Sequence, residues 1–170
     1  MNRVLVCIDV QNDFVDGTLG TKEAKAIVSN IKKKIEEYQK REDEIIFTRD
    51  THYANYLDTL EGQKLPVEHC IYRTKGWNIV DGLEVPNCAY VNKRTFGCFE
   101  WWNRTWMSEE IEVCGLCTDI CVISNALIIR AMFPSTKIIV DASCCAGTTP
   151  ERHKAALEVM KSCQINVVGE

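Results

Sequence analysis

A mostly parallel β-sheet covered by helices on both faces, a three-layer α/β/α arrangement in one domain spanning 1–170, is the fold this sequence predicts. Three observations carry the expectation. Short β-branched runs alternate with longer stretches of helical period, the helical stretches lie between the strand-like runs, and no internal repeat, low-complexity tract or linker divides the chain. Such alternation favours parallel strands joined by helical crossovers. A hydrophobic content of 46% in 170 residues is enough to bury one sizeable core.

The elements follow in order. RVLVCID is the first strand, and the stretch 22–41 is the first helix, with Ile27, Ile31, Ile35 and Tyr38 at steps of four, four and three forming an apolar stripe against a Lys/Glu face. EIIFTRD follows as a strand. Residues 51–88 hold a Gly-Trp and a Gly-Leu break and two prolines and read as a long irregular excursion with short helical turns, a kind of segment that often carries function. AYVNK, IEVCG, KIIVDA and INVVG complete the strands, separated by helical stretches at about 98–106, 119–133 and 150–162. The last helix offers a capping box between Thr148 and Glu151, with Pro150 in the first turn.

Composition removes several function classes. The net charge is −4 and the lysines are interleaved with acids, as in KKKIEEYQKR, so no nucleic-acid surface is expected. No run approaches the roughly 18 apolar residues that span a bilayer. The N-terminus MNRVLVCIDV enters a strand pattern without signal anatomy, so no membrane partner and a cytoplasmic location are expected. Ten cysteines do not make a disulfide framework here, because Cys7, Cys114 and Cys163 lie inside apolar runs and read as reduced, buried small hydrophobes.

Ligands of open α/β sheets bind outside the carboxyl ends of the strands. Asp9, Asp50 and Lys93 close three strands, the cysteine cluster CGLCTDICV follows a fourth, and Asp141 closes a fifth. Any one such carboxylate is an ordinary turn-former and a lone Lys93 an ordinary snorkelling side chain. Together, Asp, Lys and Cys at one rim make a nucleophile constellation, since a thiol needs a base and an adjacent ammonium favours the thiolate. Thr118 can cap the helix 119–133, which places Cys121 in the first turn beside unpaired N–H groups. The backbone N–H of Cys117 can join that of Cys121 around an oxyanion. A buried helical cysteine is the plainer reading of Cys121. The CxxC spacing of Cys114 and Cys117 fits a redox pair poorly, because Cys114 lies in the strand, and no second ligand pair completes a structural zinc site.

Asp50 and His52, two apart at a strand end, point to one side if the chain stays extended, and His69 can return from the excursion. One carboxylate and two imidazoles leave coordination positions open, as catalytic metals require; two ordinary loop histidines are the alternative. His153, in the charged last helix, reads as a solvated bystander.

With these residues assembled, the sequence resembles the isochorismatase-like cysteine hydrolases, and among them the metal-containing nicotinamidase-related branch. The resemblance rests on CIDVQNDF (7–14), TRDTH (48–52), PVEHC (66–70), NKRTFGCF (92–99), GLCTDICV (115–122) and VDASCCAG (140–147), and covers nearly the whole chain. It implies a triad of Asp9 as base, Lys93 as the cation and Cys121 as nucleophile. It implies an oxyanion hole from the Cys117 and Cys121 amides and a cis peptide before Cys117. It implies one divalent ion on Asp50, His52 and His69, with zinc, iron and manganese fitting comparably. The implied reaction is amide hydrolysis through a thioester, of nicotinamide or another small amide, N-carbamoyl or ureido compound, by a homodimer or homotetramer. Phe14 and Phe96 are candidate ring-sandwiching walls, with core packing as the alternative.

The chain departs from the branch in IYRTKGWNI after His69 and in RTFGCFEWW after Lys93. Arg73 and Arg94 there suit an acidic substrate or are surface arginines, and Trp101, Trp102 and Trp106 suit an interface or a packed helix. A catalytically idle binding subunit and a vinyl-ether hydrolase are further readings, and retention of Asp9, Lys93 and Cys121 together speaks against both.

Overall fold

The computed structural model describes residues 3–104, 106 and 108–170. Six strands form one sheet in the order β3-β2-β1-β4-β5-β6, and every neighbouring pair is parallel. The strands are β1 (Arg3–Ile8), β2 (Glu44–Asp50), β3 (Ala89–Lys93), β4 (Glu110–Leu116), β5 (Lys137–Ala146) and β6 (Asn166–Val168). The order runs one way from β1 to β3 and the other way from β4 to β6. Right-handed crossovers therefore place α2 (Lys22–Lys40) on one face and α4 (Ile123–Met132) and α5 (Pro150–Ser162) on the other. The two directions diverge between β1 and β4, which opens a crevice at the carboxyl end of the sheet.

The predicted stripe of α2 is buried along its length through Ala24, Ile27, Ile31, Ile35 and Tyr38. Ile31 and Ile35 are almost wholly enclosed, and each such side chain contributes roughly 1.5–3 kcal/mol of transfer free energy. The helix starts where Thr21 Oγ1 accepts from the Ala24 N–H at 3.0 Å. Between β4 and β1 the backbones approach so closely that a Cβ on Gly115 would run into Ile8, and Gly115 also has φ +119°. Glycine is required there.

Several local expectations are corrected. The expected helix 119–133 does not begin with a Thr118 cap: Cys117 precedes a π turn over Thr118–Val122, and regular helix starts only at Ile123. The cap of α5 is Thr149, whose Oγ1 accepts from Arg152 N, while Thr148 turns to Asp119 instead. Asp141 does not end its strand; β5 continues to Ala146, and Asp141 pairs with Lys34 of α2 at 2.8 Å. The stretch 98–106 yields a single 3₁₀ segment, Phe99–Asn103. Within it Trp101 is fully buried, whereas Trp102 and Phe99 are each 81% exposed; Trp106 packs on Trp101 and Phe133. Cys163 is exposed, not part of the core, while Cys7 and Cys114 are buried. Among the described residues no helix is long and apolar enough to cross a membrane.

Candidate active site

Asp9 is the first residue beyond β1, held at φ +47° with its N–H donating to Thr48 Oγ1 at 3.0 Å. Thr48 in turn donates to Asp9 Oδ1 at 2.6 Å, which fixes the carboxylate plane. Lys93, the last residue of β3, reaches across the end of β2 and places Nζ 2.6 Å from Asp9 Oδ2, 3.5 Å from Asp50 Oδ1 and 3.5 Å from Cys121 Sγ. Lys93 occupies one side of Asp9 Oδ2, and the oxygen's second lone pair is left for another donor. The sequence-predicted triad residues are thus brought together around one buried ammonium.

Burial pushes the Cys121 thiol well above its usual range; Lys93 pulls it back without offsetting the desolvation. Burial also raises Asp9, against the pull of Lys93. Lys93 behaves oppositely: burial lowers its pKa, but Asp9, Cys121 and Asp50 outweigh that and hold the ammonium. A protonated thiol beside a base and a fixed cation is the resting arrangement. The Leu116–Cys117 peptide is cis, at the expected place. Burial pushes the Cys117 thiol up to about 12, so it stays protonated near neutral pH.

The second constellation lies beside the first. His52 Nε2 is 3.0 Å from Asp50 Oδ2 and His69 Nε2 is 3.6 Å from the same oxygen. Glu61, in the short helix α3 (Leu60–Lys64), brings Oε1 to 3.6 Å from His52 Nε2 and 3.9 Å from His69 Nε2. One ligand atom from each of Asp50, His52, Glu61 and His69 lies within 4.8 Å of all the others. His69 Nδ1 sits 2.8 Å from the Val67 carbonyl, which can only accept, so Nδ1 carries the proton and Nε2 is free to ligate. Burial raises Asp50, but the hydrogen bonds from His52 and His69 and the charge of Lys93 hold it well below the carboxylate range. Two imidazoles and two carboxylates, largely buried and convergent, fit a divalent transition metal.

Sequence reasoning missed three supports of these groups. Gln11 donates through Nε2 to the Asp50 and Trp77 carbonyls and accepts the Asp50 N–H at 2.7 Å, so it anchors the end of β2 to the excursion. Asp13 Oδ2 accepts from Cys70 N at 2.7 Å and fixes the turn carrying His69. Both were visible as polar residues of the CIDVQNDF motif. Asn125, buried in α4, uses all its hydrogen-bonding capacity: Oδ1 accepts from Cys98 N and Trp101 Nε1, and Nδ2 donates to the Phe96 and Cys121 carbonyls. It ties the segment after Lys93 to the turn that carries Cys121. Glu61 was missed as well. His153 is no bystander, since it is half-buried with Nδ1 2.8 Å from Thr118 Oγ1 at the start of that turn.

A cavity of about 710 Å³ opens over both constellations, within the size range of small-molecule sites. Phe14, Asp50, His52, Glu61, His69, Phe96, Cys117 and Cys121 line it, with Lys93 Nζ 3.5 Å from Cys121 Sγ. Phe14 is buried and meets His69 edge-on at 5.5 Å; Phe96 is 46% exposed at the mouth. Arg94 also lines the cavity, whereas Arg73 stacks on Tyr72 away from it.

The family model of the isochorismatase domain matches residues 3–169. An uncharacterized isochorismatase family protein of Bacillus subtilis strain 168, PncA, is 29% identical over 173 residues, covering 92% of this chain and 93% of that protein. The nicotinamidase/pyrazinamidase of Mycobacterium tuberculosis is 25% identical over 189 residues, with 98% of each covered. The crystal structure of the nicotinamidase PncA from Bacillus subtilis superposes with a TM-score of 0.85 at 27% identity over 99% of each chain.

Proposed function

The chain belongs to the isochorismatase family, and we propose that within it this protein is a metal-dependent cysteine amidohydrolase that cleaves a small carboxamide, nicotinamide first among the candidates, to the acid and ammonia. The observation that carries the reading is Lys93 Nζ, 2.6 Å from Asp9 Oδ2 and 3.5 Å from Cys121 Sγ at the edge of the cavity. Relatives named as nicotinamidases support the substrate class.

Because burial keeps the Cys121 thiol protonated, attack needs a base, and Asp9 Oδ2, held by Lys93 on one side, keeps a second lone pair for the proton. Asp9 takes the thiol proton as sulfur adds to the amide carbonyl, and Lys93 holds the negative charge that passes between oxygen and sulfur. The Cys117 and Cys121 amides face the oxyanion. Collapse breaks the C–N bond; the amine takes the proton from Asp9 and leaves as ammonia. Asp9, again a carboxylate, then removes a proton from water as it cleaves the thioester, which releases the acid and restores the thiol. Phe14 and Phe96 flank the acyl group.

Asp50, His52, Glu61 and His69 would hold the divalent ion, with zinc, iron or manganese suiting the donors comparably; when bound it supplies a Lewis acid that lowers the pKa of water. Lys93 touches both constellations through Asp9 and Asp50, so loss of either carboxylate disturbs both.

The test is ammonia release from nicotinamide, and from an N-carbamoyl amino acid as the alternative substrate, by metal-loaded protein, chelator-stripped protein and Cys121→Ala. Release that needs Cys121 and falls on chelation is expected. Release that persists in Cys121→Ala would exclude the thioester route.

A further inference from the structure

The acids of the cavity are already committed: Asp50 to His52, His69 and Lys93, and Glu61 to the same two imidazoles. Its two outer cations are not. Arg94 and Lys64 both line the cavity and are exposed, and among the described residues neither has a carboxylate within 4.0 Å or a side-chain hydrogen bond. Arg94 follows Lys93 in the chain, and its guanidinium lies 5.2 Å from the ring of Tyr53, the residue after His52. It therefore leans from the nucleophile side toward the metal side across the mouth, with its hydrogen-bond donors unengaged. Lys64 stands three residues beyond Glu61, at the end of α3, and lines the same cavity. The rest of the lining mixes the apolar Leu60, Leu65 and Phe96 with the uncharged polar Asn55, Thr59 and Thr95. An amide held at Cys121 thus shares one cavity, otherwise lined without further free charge, with two unpaired positive charges.

We propose that the substrate is a carboxamide bearing an anionic group, with the amide at Cys121 and the anion, a carboxylate or its equivalent, received by Arg94 with Lys64 as the second cation. The proposal rests on the amidohydrolase reading and narrows it. A planar guanidinium with free donors matches a carboxylate in two parallel hydrogen bonds, whereas a neutral ring would leave both cations solvated and add no contact with them.

The experiment measures binding, so that it does not depend on turnover. Zinc-loaded Cys121→Ala protein is titrated by calorimetry with 3-carbamoylbenzoate and with benzamide, which differ by one carboxylate. The anionic amide should bind about tenfold tighter or more, the order of one charge-assisted hydrogen bond, and added salt should erode the difference. Adding Arg94→Gln and Lys64→Gln should bring the two affinities to parity, and Arg94→Lys should restore part of the gap. Equal affinities in the parent protein, no binding of 3-carbamoylbenzoate, or a preference that survives loss of both cations would each overturn the proposal. Ammonia release by the wild-type protein from any small amide judges the amidohydrolase reading separately.

Discussion

Two lysines lie against this sheet, the buried Lys93 and the partly buried Lys34, each between two carboxylates, and their surroundings differ. Lys34 of α2 is bonded to Glu112 at 2.5 Å and Asp141 at 2.8 Å, with Tyr38 donating to the other oxygen of Glu112 and Ser143 to Asp141. Every group in that cluster has a directed partner, and a helix covers it. Lys93 is bonded to Asp9 and Asp50, but its cluster also holds a thiol and borders a cavity. The same charge pattern is closed in one place and open in the other. An ionic cluster closed under a helix fixes how that helix lies on the sheet; one that holds a thiol beside a cavity can exchange a proton.

The sharpest way to break this comparison is to remove one member of each cluster. Cys121→Ala should lower amide hydrolysis by about 10⁴-fold or more, the scale of losing a nucleophile, with little change in melting temperature. Lys34→Met should do the reverse. Stranding Glu112 and Asp141 without their cation should cost about 3 kcal/mol, a fall of about 10 °C in a chain of this size, with activity per folded molecule retained. Thermal melts and rate assays on both variants check the pair, and a large activity loss in Lys34→Met would merge the two clusters into one functional unit.

A smaller effect separates them by pH. Burial raises Asp141, but Lys34 and Ser143 outweigh it and leave the carboxyl below its ordinary value. A depressed carboxylate contributes stability that is fully present above the unfolded value, about 4, and is lost as pH falls through the lower folded value. Urea unfolding across that window should show wild-type stability falling with acid, and Asp141→Asn should flatten the fall. An unchanged slope would mean that the Lys34 cluster does not depend on the charge of Asp141.

The two clusters also differed in how far the sequence disclosed them. Asp9, Asp50 and Lys93 stand out because each follows an apolar run at the end of the sheet where loops converge. Asp50 and His52 were legible as a pair because two-residue spacing in extended chain fixes a common side. Lys34 was not legible: on α2 it reads as part of a solvated Lys/Glu face, and only the distance to Glu112 and Asp141 across the layer reveals it. Asp141 was misread as a strand end for the same reason, since its partner is more than a hundred residues away. Glu61 lies in the excursion, whose path is set by Gln11 and Asp13 reaching over from the β1 side, and no periodicity encodes such side-chain anchors. The π turn that carries Cys121 keeps the apolar period of a helix, so the shift in its hydrogen bonding leaves no trace in the pattern.

The measurement that bears most directly on the open cluster is the mass of the protein during turnover. Metal-loaded protein is mixed with the amide it hydrolyses, quenched in acid within the first turnovers and digested. The expected result is a Cys121 peptide heavier by the substrate less ammonia, absent from Cys121→Ala. Ammonia release with an unmodified Cys121 peptide, and a comparable rate in Cys121→Ala, would contradict nucleophilic catalysis at this cysteine.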